Sequence, residues 1–125
     1  MEKKNLDWKH IGFAYHTTDY RYVADYKDGK WQEGYMSDSP NIVLNECAGI
    51  MQYCQEVFEG LKAYETADGR IVTFRSDLNA DRMYHSAERM EMPPFPKERF
   101  IEAVEKVVKA NEAWYHLMAA VQHFT

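Results

Sequence analysis

The sequence predicts an α+β fold: a small, mostly antiparallel sheet with two to three helices. Two stretches of strand-like residues flank the turn dipeptides Asp28-Gly29 and Asp68-Gly69. Residues 97–112 place Phe100, Ile101, Val104, Val107 and Val108 on one helical stripe. The strands precede the longer helices instead of alternating with them, which is the order of an α+β chain.

Residues 1–12 are polar, with Trp8 and Ile11 as the expected anchors. From Tyr20 the chain alternates: Tyr20, Tyr22, Ala24 and Tyr26 on one face, Arg21, Val23, Asp25 and Lys27 on the other. Asp28-Gly29 suits a two-residue turn of the primed type, with residues 30–35 as the return strand. Ser37-Asp38-Ser39-Pro40-Asn41 reads as a loop, and Ile42-Val43-Leu44 as a short strand.

Residues 53–75 organise the chain. A short amphipathic turn of helix ends in a break at Gly60, a strand covers 61–64, Asp68-Gly69 turns the chain, and a second strand covers 71–74. Arg75 falls where that strand ends, with its backbone fixed and its side chain free to reach a ligand. Ser76 or Asp77 is placed to cap the next helix, whose apolar positions are Ala80, Met83, Tyr84, Ala87 and Met90. Met92-Pro93-Pro94-Phe95-Pro96 must break it, since proline lacks a donor and restricts the residue before it. The last helix adds the favourable pairs Glu102 to Lys106 and Glu105 to Lys109.

A chain of 125 residues is one domain's worth, and its 46% hydrophobic content argues for a globular fold. The net charge of −5 gives no reason to expect nucleic acid or an anionic membrane as a partner. No apolar run approaches the roughly 20 residues of a membrane span. Met1-Glu2-Lys3-Lys4-Asn5 has no apolar segment behind it, so a secretory signal is not expected and a cytoplasmic location is. Cys47 and Cys54 then read as free thiols. His85 and Glu88 have helical spacing but no third ligand, so no metal site is expected. Met83, Met90 and Met92 read as core fillers.

Phe58-Glu59-Gly60-Leu61-Lys62-Ala63-Tyr64, then Phe74-Arg75 with Asp77, Asn79, Arg82 and Met83, form a specific pattern. With Gly12-Phe13-Ala14-Tyr15-His16-Thr17-Thr18-Asp19-Tyr20 upstream, it resembles the small N-terminal domain of branched-chain aminotransferases. These are pyridoxal-phosphate (PLP) enzymes of fold type IV, the D-amino-acid-aminotransferase-like class. The likeness covers roughly residues 6–114, which implies a small domain over 1–114 and a tail over 115–125 outside the family pattern. It implies PLP as cofactor, a branched-chain amino acid and 2-oxoglutarate as substrates, and a homo-oligomer, typically a dimer. Related enzymes acting on D-amino acids or aminodeoxychorismate share the fold, but the two motifs favour the branched-chain group.

The resemblance places Arg75 on the PLP phosphate. A planar guanidinium can donate two parallel hydrogen bonds there, and the helix starting near Ser76 would add positive potential. From the residues alone, an exposed arginine paired with a surface carboxylate is the simpler reading. Ser76 stands where the family often has proline. By the same resemblance Tyr53, Phe58, Gly60 and Lys62 line the side-chain and carboxylate end of the substrate pocket. An aromatic wall suits an aliphatic side chain, and Gly60 would let backbone approach the substrate. Core packing is the alternative for Phe58 and Tyr53. Gln52 and Cys54 stand where many relatives carry His and Gly.

The chemistry of such enzymes needs a lysine in Schiff-base linkage to PLP, which the resemblance assigns to a second, larger domain. No position here matches it, so no catalytic residue is assigned and the chain alone is expected to be inactive. The family pattern stops at Trp114, and back-translating the tail from one base earlier is compatible with the family's continuation. A lost base beside the Trp114 codon is therefore the expected origin of the tail, and a deliberately short protein is the alternative. The competing function is a non-catalytic fragment that associates with itself or with a full-length partner through an exposed sheet edge.

Overall fold

The computed structural model describes residues 2–7 and 15–115. Trp8, Ile11, the start of the Gly12 to Tyr20 motif and the tail beyond Tyr115 lie outside the described residues.

The first hairpin forms in two stages. Strand β1 (Arg21–Val23) pairs antiparallel with β4 (Tyr35–Ser37), and β2 (Tyr26–Lys27) pairs with β3 (Lys30–Trp31). Asp28 and Gly29 both have positive φ, at 53° and 73°, as a type I′ turn requires. Val23 faces Tyr35 while Tyr26 faces Trp31, so two residues on one side oppose three on the other. That is a bulge, and it sits at Gly34. A β-carbon added there would lie 2.0 Å from the Tyr22 hydroxyl, so glycine is what lets the Tyr22 ring pass. Tyr20, Tyr22 and Ala24 all line the cavity under the hairpin, although Tyr20 is as exposed as Tyr26 beyond the bulge, at 44% and 43%.

The strand expected over Ile42-Val43-Leu44 does not form: all three side chains are exposed and no strand pairs there. A strand needs a partner ladder, and this segment instead continues a loop held by the Arg21 guanidinium, which donates to the carbonyls of Ser39 and Asn41. The short helix also lies earlier than expected. Helix α1 (Gly49–Tyr53) stops at Cys54, at φ 51° and ψ 34°, and Gly60 breaks nothing. The left-handed conformation at Cys54 is one that glycine adopts without steric cost. From Gln55 to Lys62 the chain belongs to no helix or strand.

Strand β5 (Ala63–Glu65) pairs with β6 (Ile71–Thr73), so the second hairpin is shorter than expected at Leu61, Lys62 and Phe74. Gly69, at φ 81°, closes its turn, and Thr66 braces it through Asp68 and the Arg70 carbonyl and amide. Among the described residues the strands form three two-stranded ladders, not one sheet.

Helix α2 (Ser76–Arg89) begins without a side-chain cap; its N-cap is Arg75, in the left-handed region, and neither Ser76 nor Asp77 fills the role. Asp77 is spent on Arg75 instead. The helix ends in a Schellman motif, with Met92 N–H on Ala87 O at 2.9 Å and Glu91 N–H on Glu88 O at 3.1 Å. Helix α3 (Lys97–Ala110) follows the proline run, and a short 3-10 turn (Glu112–Trp114) ends the described chain. Trp31 fixes the first hairpin on that run: its indole N–H donates to Pro94 O at 2.9 Å and its ring meets Phe95 edge-on at 4.9 Å.

Among the described residues only Ala80, Ala87, Ala113, Asn79 and Asn111 are buried. The stripe of Phe100, Val104, Val107 and Val108 faces Tyr22 and Leu61 across a cavity of about 600 Å³. The amphipathic pattern correctly located the core side of α3, yet that side is only half covered.

Candidate functional site

Accessibility alternates residue by residue from Glu56 to Ala63, although no ladder holds that segment. Odd positions turn inward, and even positions, Phe58, Gly60 and Lys62, turn outward. Phe58 is 93% exposed. Ala63 pairs with Thr73, so the register carried one step further sets Lys62 opposite Phe74, itself 84% exposed. Three of the four expected substrate residues thus share one outward face. Tyr53 is on a different element, at the end of α1, and is 83% exposed. Core packing explains neither aromatic.

Arg75 stands at the β6–α2 junction with φ 50° and ψ 47°. Its guanidinium makes a forked contact with Asp77, Nε on Oδ1 at 2.9 Å and Nη2 on Oδ2 at 2.8 Å, and both side chains are exposed. This is the ion pair that residue-level reading offers as the alternative to a phosphate contact. The pairing holds Asp77 below the usual carboxylate range and raises Arg75.

A second arginine is better braced. Asn79, 7% exposed on α2, donates from Nδ2 to Glu59 Oε1 at 2.7 Å and to Gly60 O at 2.8 Å. The Glu59 side chain is only 9% exposed and accepts Arg82 Nε on Oε2 at 3.1 Å and Arg82 Nη2 on Oε1. Hydrogen bonds from Arg82, and then Asn79, depress the Glu59 carboxyl against the opposing effect of burial. Arg82 lies within α2, whereas Arg75 precedes the helix as its N-cap, in the left-handed region. In the sequence Glu59, Asn79 and Arg82 belong to the family-like pattern but carry no role of their own. The available signal was an asparagine at an inward helical position, where a buried amide must find partners.

Against this geometry, similarity is decisive. Over 111 residues, 89% of this chain, it is 47% identical to the branched-chain-amino-acid aminotransferase of Haemophilus influenzae, covering 32% of that protein. It is 42% identical over 111 residues to the Helicobacter pylori protein of the same name, with 89% of this chain and 33% of the relative covered. The chain belongs to the branched-chain-amino-acid aminotransferase family. A relative called methionine aminotransferase, from Arabidopsis thaliana, is 41% identical over 111 residues, with 88% of this chain and 31% of the relative covered. No protein-family model matches the chain. The chain spans about a third of the length of the curated relatives it matches.

For this aminotransferase-family chain, a guanidinium suits an anion, and Arg75 and Arg82, each paired with a carboxylate, are both more than half exposed. Among the described residues no group of three His, Cys, Asp or Glu side chains could hold a metal ion. His85 and Glu88 form an exposed pair at 3.4 Å. No described helix is long and apolar enough to cross a membrane. Cys47 and Cys54 are both free and exposed.

Proposed function

We propose that residues 1–114 are the N-terminal small domain of a PLP-dependent transaminase that moves the amino group of leucine, isoleucine or valine to 2-oxoglutarate. The observation that carries this reading is identity of 47% along 89% of the chain. In it, Phe58 and Tyr53 supply an apolar wall for the substrate side chain. Lys62 supplies a cation for its carboxylate, and Gly60 a backbone free of any β-carbon contact.

A guanidinium takes the cofactor's phosphate. The sequence points to Arg75, and the bracing of Arg82 by a nearly buried Glu59 favours Arg82 as the second candidate, since a held donor loses less freedom on binding. When bound, PLP serves as the electron sink for bonds at the amino acid's α-carbon. The chain's own residues orient and screen; none of its lysines is assigned to hold the cofactor covalently. We therefore expect the 125-residue chain to be inactive by itself, cytoplasmic, and inclined to self-association through its outward aromatic face. A purely associating role is the second reading, favoured by the exposure of Phe58 and Phe74.

Purification with added PLP, an absorbance spectrum, equilibrium dialysis and a coupled leucine-to-2-oxoglutarate assay test this. Expected are reversible PLP retention, no covalent band and no turnover. Arg82→Ala or Arg75→Ala should abolish retention, and whichever does so identifies the phosphate donor. A coloured, active protein would overturn the inactivity, and no retention by the parent chain would leave association as the function.

A further inference from the structure

We propose that residues 56–62 are an open strand edge that pairs antiparallel with the same segment of a second copy of this chain, about a two-fold axis at Glu59. This rests on the associating reading above and gives it a partner and a register.

The segment has the period of a strand without its ladder. Its exposure alternates from Gln55 to Lys62, none of these residues has positive φ, and it runs directly into β5. The second hairpin sets its backbone direction. Thr66 N–H bonds Arg70 O at 2.8 Å, and Tyr64 lies opposite Val72, so even residues aim their amides and carbonyls at β6 and odd residues aim theirs away. Carried back along the segment, this turns the backbone groups of Val57, Glu59 and Leu61 to the side where no described strand pairs. Among the described residues these three make no backbone-to-backbone hydrogen bond, whereas Gly60 O, on the β6 side, is taken by Asn79.

The segment is complementary to itself. A two-fold axis at Glu59 sets Glu56 opposite Lys62, Val57 opposite Leu61 and Phe58 opposite Gly60, each twice. Glu56 and Lys62 are exposed, and neither has an ion-pair partner among the described residues. Phe58 is 93% exposed, and the place of a Gly60 β-carbon is open space, so the ring of one copy can cover the glycine of the other. Glu59 meets its counterpart on the inward face, but Arg82 and Asn79 already hold its carboxylate, so two compensated groups face one another. A slip of the axis by one residue would set exposed positions against inward ones. Keeping the faces matched while moving the pairing further sets Glu56 against Gly60 or Phe58 against Lys62, and both charge pairs are lost. The charges therefore select one register.

The test uses the full chain. Sedimentation of the parent should show dimers that weaken as salt is raised, since the two charge pairs lie at the surface. Glu56→Lys or Lys62→Glu alone sets like charges opposite one another at both ends, and should weaken self-association about tenfold. An equimolar mixture of the two variants restores opposite charges at both ends and should associate as tightly as the parent. In the parent, amide exchange at Val57, Glu59 and Leu61 should slow about tenfold as concentration is raised through the dimer transition, while Phe58 and Lys62 stay unchanged.

A mixture that associates no better than either variant overturns the pairing, and so do odd and even amides that respond alike; the associating reading then survives through another contact. If a variant does not fold, the amide exchange of the parent decides. A parent that stays monomeric at millimolar concentration overturns the pairing and the associating reading together.

Discussion

Asn111 holds both backbone groups of Tyr20: its Oδ1 accepts the Tyr20 amide at 3.0 Å and its Nδ2 donates to the Tyr20 carbonyl at 2.8 Å. The same Nδ2 reaches Val107 O at 2.9 Å, so one buried amide ties the entry of β1 to the end of α3. Asn111→Ala should leave these buried groups unpaired and cost about 1–3 kcal/mol in urea unfolding. A loss well under 0.5 kcal/mol would show that water replaces the side chain.

The bulge at Gly34 makes a second, steric prediction. Gly34→Ala drives a methyl into the Tyr22 ring, 2.1 Å from its Cζ, and should cost about 1–3 kcal/mol by overpacking. Tyr22→Phe removes only the hydroxyl and should not rescue it. Tyr22→Ala in the same chain should make Gly34→Ala nearly neutral, and a double-mutant cycle by thermal unfolding measures the coupling.

Glu91 occupies the left-handed position of the Schellman motif at φ 53°, where an ordinary side chain is strained and glycine is not. Glu91→Gly should raise stability by about 0.5–1 kcal/mol, seen as a higher Tm. A lower Tm would mean that the carboxylate makes a compensating contact.

Arg82, and then Asn79, lower the Glu59 carboxyl, so the folded chain holds this ionised group more tightly than the unfolded chain does. The stabilisation is complete above the ordinary glutamate value of 4.5 and is lost as pH falls through the depressed folded value. Asp19, lowered by Lys4 and Trp114, behaves the same way. Glu59→Gln should therefore flatten, without abolishing, the acid limb of a stability-against-pH curve; an identical acid limb would contradict the pairing.

Phe58 is so exposed that Phe58→Ser should change stability by no more than about 0.5 kcal/mol. It should reduce any concentration-dependent association seen by sedimentation, since a large apolar side chain is removed from the outward face. Unchanged association would move the contact elsewhere on the surface.

Legibility in the sequence followed the range of the interactions involved. The type I′ turn at Asp28-Gly29 and the start of α3 after Pro96 are local, set by φ preferences within a few residues, and both were read correctly. Ile42-Val43-Leu44 has strand composition, yet strands exist only in pairs, and no local rule says that a partner is missing. The same limit hid the Asn79, Glu59 and Arg82 cluster, which joins positions 20 and 23 residues apart.

By itself the sequence determined the α+β class, the two turns, the apolar stripe of α3 and, through the words around Phe58 and Arg75, the aminotransferase family. Those depend on local periodicity, on backbone preference, or on a pattern held in the letters. Tertiary structure alone decided that Phe58, Gly60 and Lys62 share an outward face, that Arg75 is engaged by Asp77, and that Arg82 is braced from within. The physical reason is that a side chain's direction and partners depend on strand register and on helix placement, which distant residues set together.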